Sequence, residues 1–202
     1  MSETRDTRIE IPVEAREGLV ALLNSQLADA TDLYTQVKFA HWNVKGSDFI
    51  QLHELFDEIA AHVLEFIDLI AERATTLGGM ANGTLRQAAA GSSLSEYPEG
   101  SLDGIEAVTA VADQVGAYAA STRQAIEESD KLGDAASRRG ATEPGRIARE
   151  FKRRVGDTTI LARLLYGLGD LAWRLGQFEE ANQYLEESVA LARAEGDLLQ
   201  TL

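Results

Sequence analysis

Residues 39–73 read FAHWNVKGSDFIQLHELFDEIAAHVLEFIDLIAER. This stretch holds all three histidines of the chain, His41, His53 and His62, and carboxylates follow them at helical spacing. The apolar residues Leu52, Leu55, Phe56, Ile59, Val63, Phe66, Ile67 and Ile70 recur at three and four, which predicts one long helix from about Phe49 to Leu77. Gly78-Gly79 ends it. At 100° and 1.5 Å per residue, His53, Asp57, Asp68 and Glu72 share an arc of roughly 100° on that helix. Asp68 and Glu72 form one i, i+4 pair, and His53 and Asp57 form another. The two pairs cannot hold one ion together, because fifteen residues of helix separate His53 from Asp68 by about 22 Å.

Working outward, the pattern Leu19, Leu22, Leu23, Leu27, Leu33, Tyr34 and Val37 predicts a preceding helix from about Val13 to Asn43. Gly46, with Ser47 and Asp48, marks a tight turn between the two helices. Such a turn makes them antiparallel and sets His41 beside His53. Each chain then has an imidazole end and a carboxylate end. A two-fold axis between chains would bring the imidazoles of one copy to the carboxylates of the other. Mixed nitrogen and oxygen ligands of this kind suit iron, manganese or zinc without choosing among them.

A connection over 80–102, with room for a short helix, leads to a third long helix at about 103–129, capped by Ser101 or Asp103. Its apolar positions are Ile105, Val108, Val111, Val115, Tyr118 and Ile126. Three long helices and one long crossover make most of a four-helix bundle. The stretch 136–157 contains Gly140, Pro144 and Gly145 and is rich in arginine and lysine. It reads as a linker. Residues 1–12 read as a loose tail, 13–135 as the helical body, and 158–202 as a helical hairpin.

Charge follows the same division. Residues 1–135 carry 9 basic and 23 acidic side chains, and residues 136–202 carry 10 of each. An acidic body attracts cations and disfavours a broad phosphate-binding surface. With no cysteine in the chain, disulfides and thiolate metal sites are excluded. No run of apolar residues reaches membrane-spanning length, and no signal-peptide core is present at the N-terminus. The chain is read as soluble and cytoplasmic, without a membrane partner.

The segments AHWNVKG, FIQLHELFDE and FIDLIAERATTLGG, together with SLSEYPEG in the connection, resemble the Dps family of dodecameric mini-ferritins (DNA-binding proteins from starved cells). The likeness covers residues 19–134, and the intervals of 12, 15 and 4 between His41, His53, Asp68 and Glu72 agree with that family's ferroxidase ligands. The resemblance implies an all-α fold: a ferritin-like antiparallel helical bundle, here with an atypical C-terminal helical hairpin. It implies oxidation of Fe²⁺, preferably by hydrogen peroxide, at sites shared between subunits, with iron stored in a shell and protection from oxidative damage. His41 and His53 would come from one subunit and Asp68 and Glu72 from its mate, with Asp57 as an additional or water-mediated ligand. Other divalent metals are compatible with the same ligands. Trp42 matches a tryptophan beside that site, or serves plain core packing. His62 lies opposite His53 and is read as structural or exposed. Asp130 and Asp134 stand where the family often places pore acids.

After about Ala135 the likeness fades and the family's fourth helix is not evident. Residues 161–197 instead resemble a single tetratricopeptide repeat through Leu168, Gly169, Ala172, Gly176, Ala181, Leu185 and Ser188. Three functions are therefore weighed. The first is a ferroxidase acting as a homo-oligomer, a dimer at minimum and a dodecamer if the shell forms. The second is an adaptor whose ferritin-like scaffold presents a partner-binding hairpin. The third is a DNA-compacting protein using 138–154, where Arg138, Arg139, Lys152, Arg153 and Arg154 are the candidate phosphate contacts.

Overall fold

The computed structural model describes residues 11–100 and 102–138, together with isolated helical positions between 166 and 189. Four helices are described: α1 (Val13–Asn43), α2 (Phe49–Thr76), α3 (Leu85–Gly91) and α4 (Gly104–Arg138). No strand occurs among the described residues.

Local chemistry sets each boundary. α1 begins directly after Pro12, whose carbonyl accepts from Arg16 N at 3.0 Å, and Glu14 lies in its positive first turn. It ends before Gly46, whose φ of 112° suits only glycine. α2 stops in a Schellman motif. Gly78, at φ 87°, donates to Thr75 O, and Gly79 donates to Ala74 O. α3 opens with a capping box between Thr84 and Gln87. α4 opens with another: Glu106 N donates to Asp103 Oδ1 at 3.1 Å, and Asp103 N donates to Glu106 Oε2 at 3.3 Å. Asp103 is thus the cap; Ser101 lies outside the described residues.

The chain divides into two units. Described residues 11–34, 63–94 and 120–138 form the first. Here α1 is buried without interruption from Gln26 to Thr31, so three polar side chains enter the core and need partners. Gln26 Nε2 donates to Ser121 Oγ at 2.7 Å and its Oε1 accepts from Thr122 at 2.7 Å. Asp29 accepts from the Ser93 amide at 2.7 Å and from the hydroxyls of Ser93 and Ser121. Thr31 donates back to Leu27 O. These bonds tie the segment after α3 and the middle of α4 onto α1. Asn24 holds the other end of the connection, donating to Met80 O and accepting from Asn82 N.

The second unit contains described residues 35–62 and 95–119 and the isolated C-terminal positions. Its core includes Val37, Ala40, Val44, Leu52, Phe56, Ile59, Val108, Val111 and Val115. The predicted apolar stripes of α1, α2 and α4 supply all of these except Ala40 and Val44, the latter just past the end of α1. Helix α4 runs nine residues further than the expected end near 129. Gly133 does not break it, and Leu132 one residue before lies against Gly18 of α1, with room for little more than a hydrogen. Packing outweighs the roughly 1 kcal/mol helix penalty of a glycine.

The expected linker 136–157 begins as helix, since 136–138 belong to α4; its remainder and the hairpin 158–202 lie outside the described residues apart from the isolated positions. Of these, Tyr166, Trp173 and Phe178 are exposed, and the rings of Trp173 and Phe178 meet edge to face at 5.0 Å.

Candidate metal centre

The turn at Gly46 brings the end of α1 against the start of α2. His41 Nδ1 lies 2.8 Å from His53 O, and His53 Nδ1 lies 2.9 Å from His41 O. The rings stack with centroids 3.6 Å apart and planes 23° apart. A carbonyl oxygen only accepts, so each Nδ1 must carry the hydrogen. In a neutral ring that choice fixes the tautomer and leaves Nε2 with an open lone pair. Phe49 closes one side of the pair, its ring 5.0 Å from that of His53. His41 is 9% exposed and His53 is partly exposed.

Asp57 belongs to the same cluster. Its Oδ1 lies 4.0 Å from His41 Nδ1 and accepts a 2.6 Å hydrogen bond from Lys38 Nζ. That bond, joined by the attraction of the Lys38 charge, holds the Asp57 carboxyl below its usual range against an opposing desolvation. Lys38 also stands 5.9 Å from the centre of the Trp42 ring. Trp42 is 67% exposed, so the core-packing alternative is corrected: its ring lies on the surface, next to Lys38.

Lys38 is the residue the spacing argument missed, and the sequence did carry a signal for it. An antiparallel pair that sets His41 against His53 also sets the position one turn earlier on α1 against the position one turn later on α2. Those positions are Lys38 and Asp57.

Asp68 and Glu72 are both exposed on α2, and neither carboxylate has a hydrogen bond or ion pair among the described residues. α2 is unbroken between His53 and Asp68, so the helical rise keeps them about 22 Å apart. Among the described residues no three His, Asp or Glu side chains lie close enough to hold a metal ion. His62 bonds through Nδ1 to Glu58 O and is partly exposed, in keeping with a role apart from His41 and His53. Asp130 is exposed on α4. Arg138 ends α4, whereas Arg139, Lys152, Arg153 and Arg154 lie outside the described residues.

A model of the ferritin-like domain matches residues 20–143. The "DNA protection during starvation protein" of Agrobacterium fabrum is 36% identical over 132 residues, 65% of this chain and 82% of that protein. A low temperature-induced protein of Nostoc is 34% identical over 170 residues, 83% of each chain. Among solved structures, DpsA14 from Streptomyces coelicolor superposes with a TM-score of 0.62 at 29% identity, covering 76% of this chain and 89% of that one. The helical architecture, the motif-bearing α1–α2 pair and these matches agree: the chain belongs to the ferritin-like family and, within it, to the Dps mini-ferritins.

Proposed function

We propose that this chain is an iron-storage and protective protein of the Dps type, and that it oxidises Fe²⁺ at sites shared between two copies. The observation that carries this reading is the locked imidazole pair. Two stacked rings whose Nδ1 atoms are held by backbone carbonyls leave their Nε2 atoms as the positions through which an imidazole takes a borderline divalent cation. His41 and His53 of one copy, with Asp68 and Glu72 of another, would make a mixed nitrogen and oxygen set for Fe²⁺ as substrate. The exposed face of α2 supports the shared site. Ile50 and Leu64, 64% and 51% exposed, fall within the arc from His53 to Glu72. Apolar surface interleaved with ligand-type residues suits burial against a second copy.

The chemistry balances with peroxide as oxidant. Two Fe²⁺ each give one electron, the O–O bond of hydrogen peroxide breaks, and two protons complete two waters. Pairing the electrons in this way releases no hydroxyl radical. The working state is a homo-oligomer, a dimer for the sites and a dodecameric shell for storage. Among the described residues no helix is long and apolar enough to cross a membrane.

Stopped-flow mixing of anaerobic Fe²⁺-loaded protein with peroxide tests the reading. His41→Ala and Asp68→Ala are each expected to reduce ferric product formation to the protein-free rate at unchanged native mass. Equal rates in correctly assembled variants contradict it.

A further inference from the structure

The C-terminal helical positions carry an apolar surface that the iron chemistry does not use. Tyr166 and Trp173 stand seven residues apart, so at about 100° per residue they share one side of their helical run. Phe178, Leu185 and Val189 follow at intervals of seven and four and share one side of theirs. The 5.0 Å edge-to-face contact of Trp173 with Phe178 joins the two sides into one surface. Tyr166, Trp173, Phe178 and Val189 are all exposed in the single chain. Scattered exposed apolar side chains need no partner, whereas a contiguous set with aromatics at its centre has the composition of an interface core.

Repeat logic and charge both say what covers it. Residues 161–197 resemble one tetratricopeptide repeat, a unit that buries its faces by stacking on neighbours. The 202 residues hold one such unit, so a neighbour of matching shape is the same unit of a second copy. Glu179 and Glu186, both exposed, run along the edge of the Phe178–Val189 stripe, where Asn182 Nδ2 donates to Glu186 Oε1 at 2.9 Å. These acids repel the acidic body of another copy and the phosphates of a nucleic acid. The stretch 138–154, with seven basic against two acidic side chains, attracts them. Residues 136–202 carry 10 of each sign, so two copies of this region meet without net repulsion.

We propose that this C-terminal face is a self-association surface. It pairs with the same face of a second copy: Tyr166, Trp173, Phe178 and Val189 pack against their counterparts, and the basic stretch 138–154 of each copy meets Glu179 and Glu186 of the other. A face that meets itself forms a closed two-fold pair rather than an open chain. The pairing lies beyond the ferritin-like match at residues 20–143 and does not involve the metal centre, so it persists in metal-free protein.

Single cysteines in the full-length protein test this. The chain has none of its own, so any link between thiols joins two copies. Val189→Cys lies on the face, and Gln183→Cys lies about 120° around from it at another exposed position. In metal-free protein treated with a short bis-maleimide, Val189→Cys should give linked dimers roughly tenfold faster than Gln183→Cys, because pairing raises the local concentration of one thiol at the other. Trp173→Asp and Phe178→Asp, each added to Val189→Cys, should lower its rate to that of Gln183→Cys with circular dichroism unchanged. Glu179→Lys with Glu186→Lys should also slow linking, and co-expression with a chain carrying Arg153→Glu and Arg154→Glu should restore it. The proposal is overturned if the two cysteines link at the same rate, or if both aspartate variants link as fast as their parent. It is equally overturned if the co-expressed chains link no faster than either alone. Acrylamide quenching in a Trp42→Phe background tests for another occupant. A shielded Trp173 in protein whose Val189→Cys chains do not link means that a different partner covers the face, and it overturns the assignment to a second copy.

Discussion

Replacing Asp29 by alanine tests how the connection between α2 and α4 is held. Asp29 is fully buried, and its oxygens accept from the Ser93 amide at 2.7 Å, the Ser93 hydroxyl at 3.1 Å and the Ser121 hydroxyl at 2.9 Å. Hydrogen bonds to a charged acceptor contribute about 1.5–3 kcal/mol each, and leaving a buried donor unsatisfied costs about 1–3 kcal/mol. Ser93 is exposed, so water can take over its donors, and removing the carboxylate also relieves its own desolvation. Ser121 is only partly exposed and is held on its other side by Gln26, so its donor is resatisfied less readily. The net loss is therefore about 3 kcal/mol. For a chain of this length that lowers Tm by roughly 6–12 °C. Asp29→Asn keeps one acceptor oxygen, and the Ser121 hydroxyl can rotate to receive the new amide, so its loss is about 1 kcal/mol. Thermal denaturation at fixed protein concentration gives the ordering, and hydrogen exchange at the Ser93 and Leu94 amides gives the location. An Asp29→Ala protein that melts with the wild type, or an asparagine as damaging as alanine, would refute the reasoning.

Two further outcomes follow from packing and titration. Gly79→Ala would place its Cβ 2.6 Å from Val20 Cγ2, and a β-branched side chain on α1 turns aside with difficulty. A loss of about 1–3 kcal/mol is expected in denaturant unfolding, and Val20→Ala in the same chain should recover most of it. Burial pushes the Tyr97 phenol up to about 12, beside Phe39 at 5.3 Å. The fold favours the neutral phenol, so its contribution is complete below the ordinary value near 10 and is lost as pH rises toward 12. In an alkaline titration at 295 nm Tyr97→Phe should remove the latest phenol to ionise, and loss of an early one contradicts the assignment.

Much of this molecule was legible because helix periodicity and capping agree. The apolar stripe on α2 and the turn at Gly46 lead to the antiparallel pair, and the pair leads to His41 beside His53. What stayed hidden depended on partners far away in sequence. Asp29 sits in QLADAT, where alternation of polar and apolar residues suggests an exposed edge. Its burial depends on Ser93 and Ser121, and no local pattern announces that those hydroxyls will meet it. The extension of α4 to Arg138 likewise depends on Leu132 finding Gly18. The Lys38–Asp57 pair was readable in principle from the register of α1 against α2, whereas the exposure of Trp42 was not, because an aromatic next to a buried histidine fits a core equally well.

The central claim is that two copies complete one metal centre, and subunit mixing tests it most directly. His41→Ala and Asp68→Ala chains are co-expressed with different tags, and assemblies carrying both tags are isolated. In a random two-fold mixture half the dimers pair one chain of each kind. Each such dimer has one site with both defects and one with neither. The account predicts that two chains, each inactive alone, together regain about a quarter of the wild-type rate of Fe²⁺ oxidation by peroxide. Mixed assemblies of native mass that regain none of it would contradict the account.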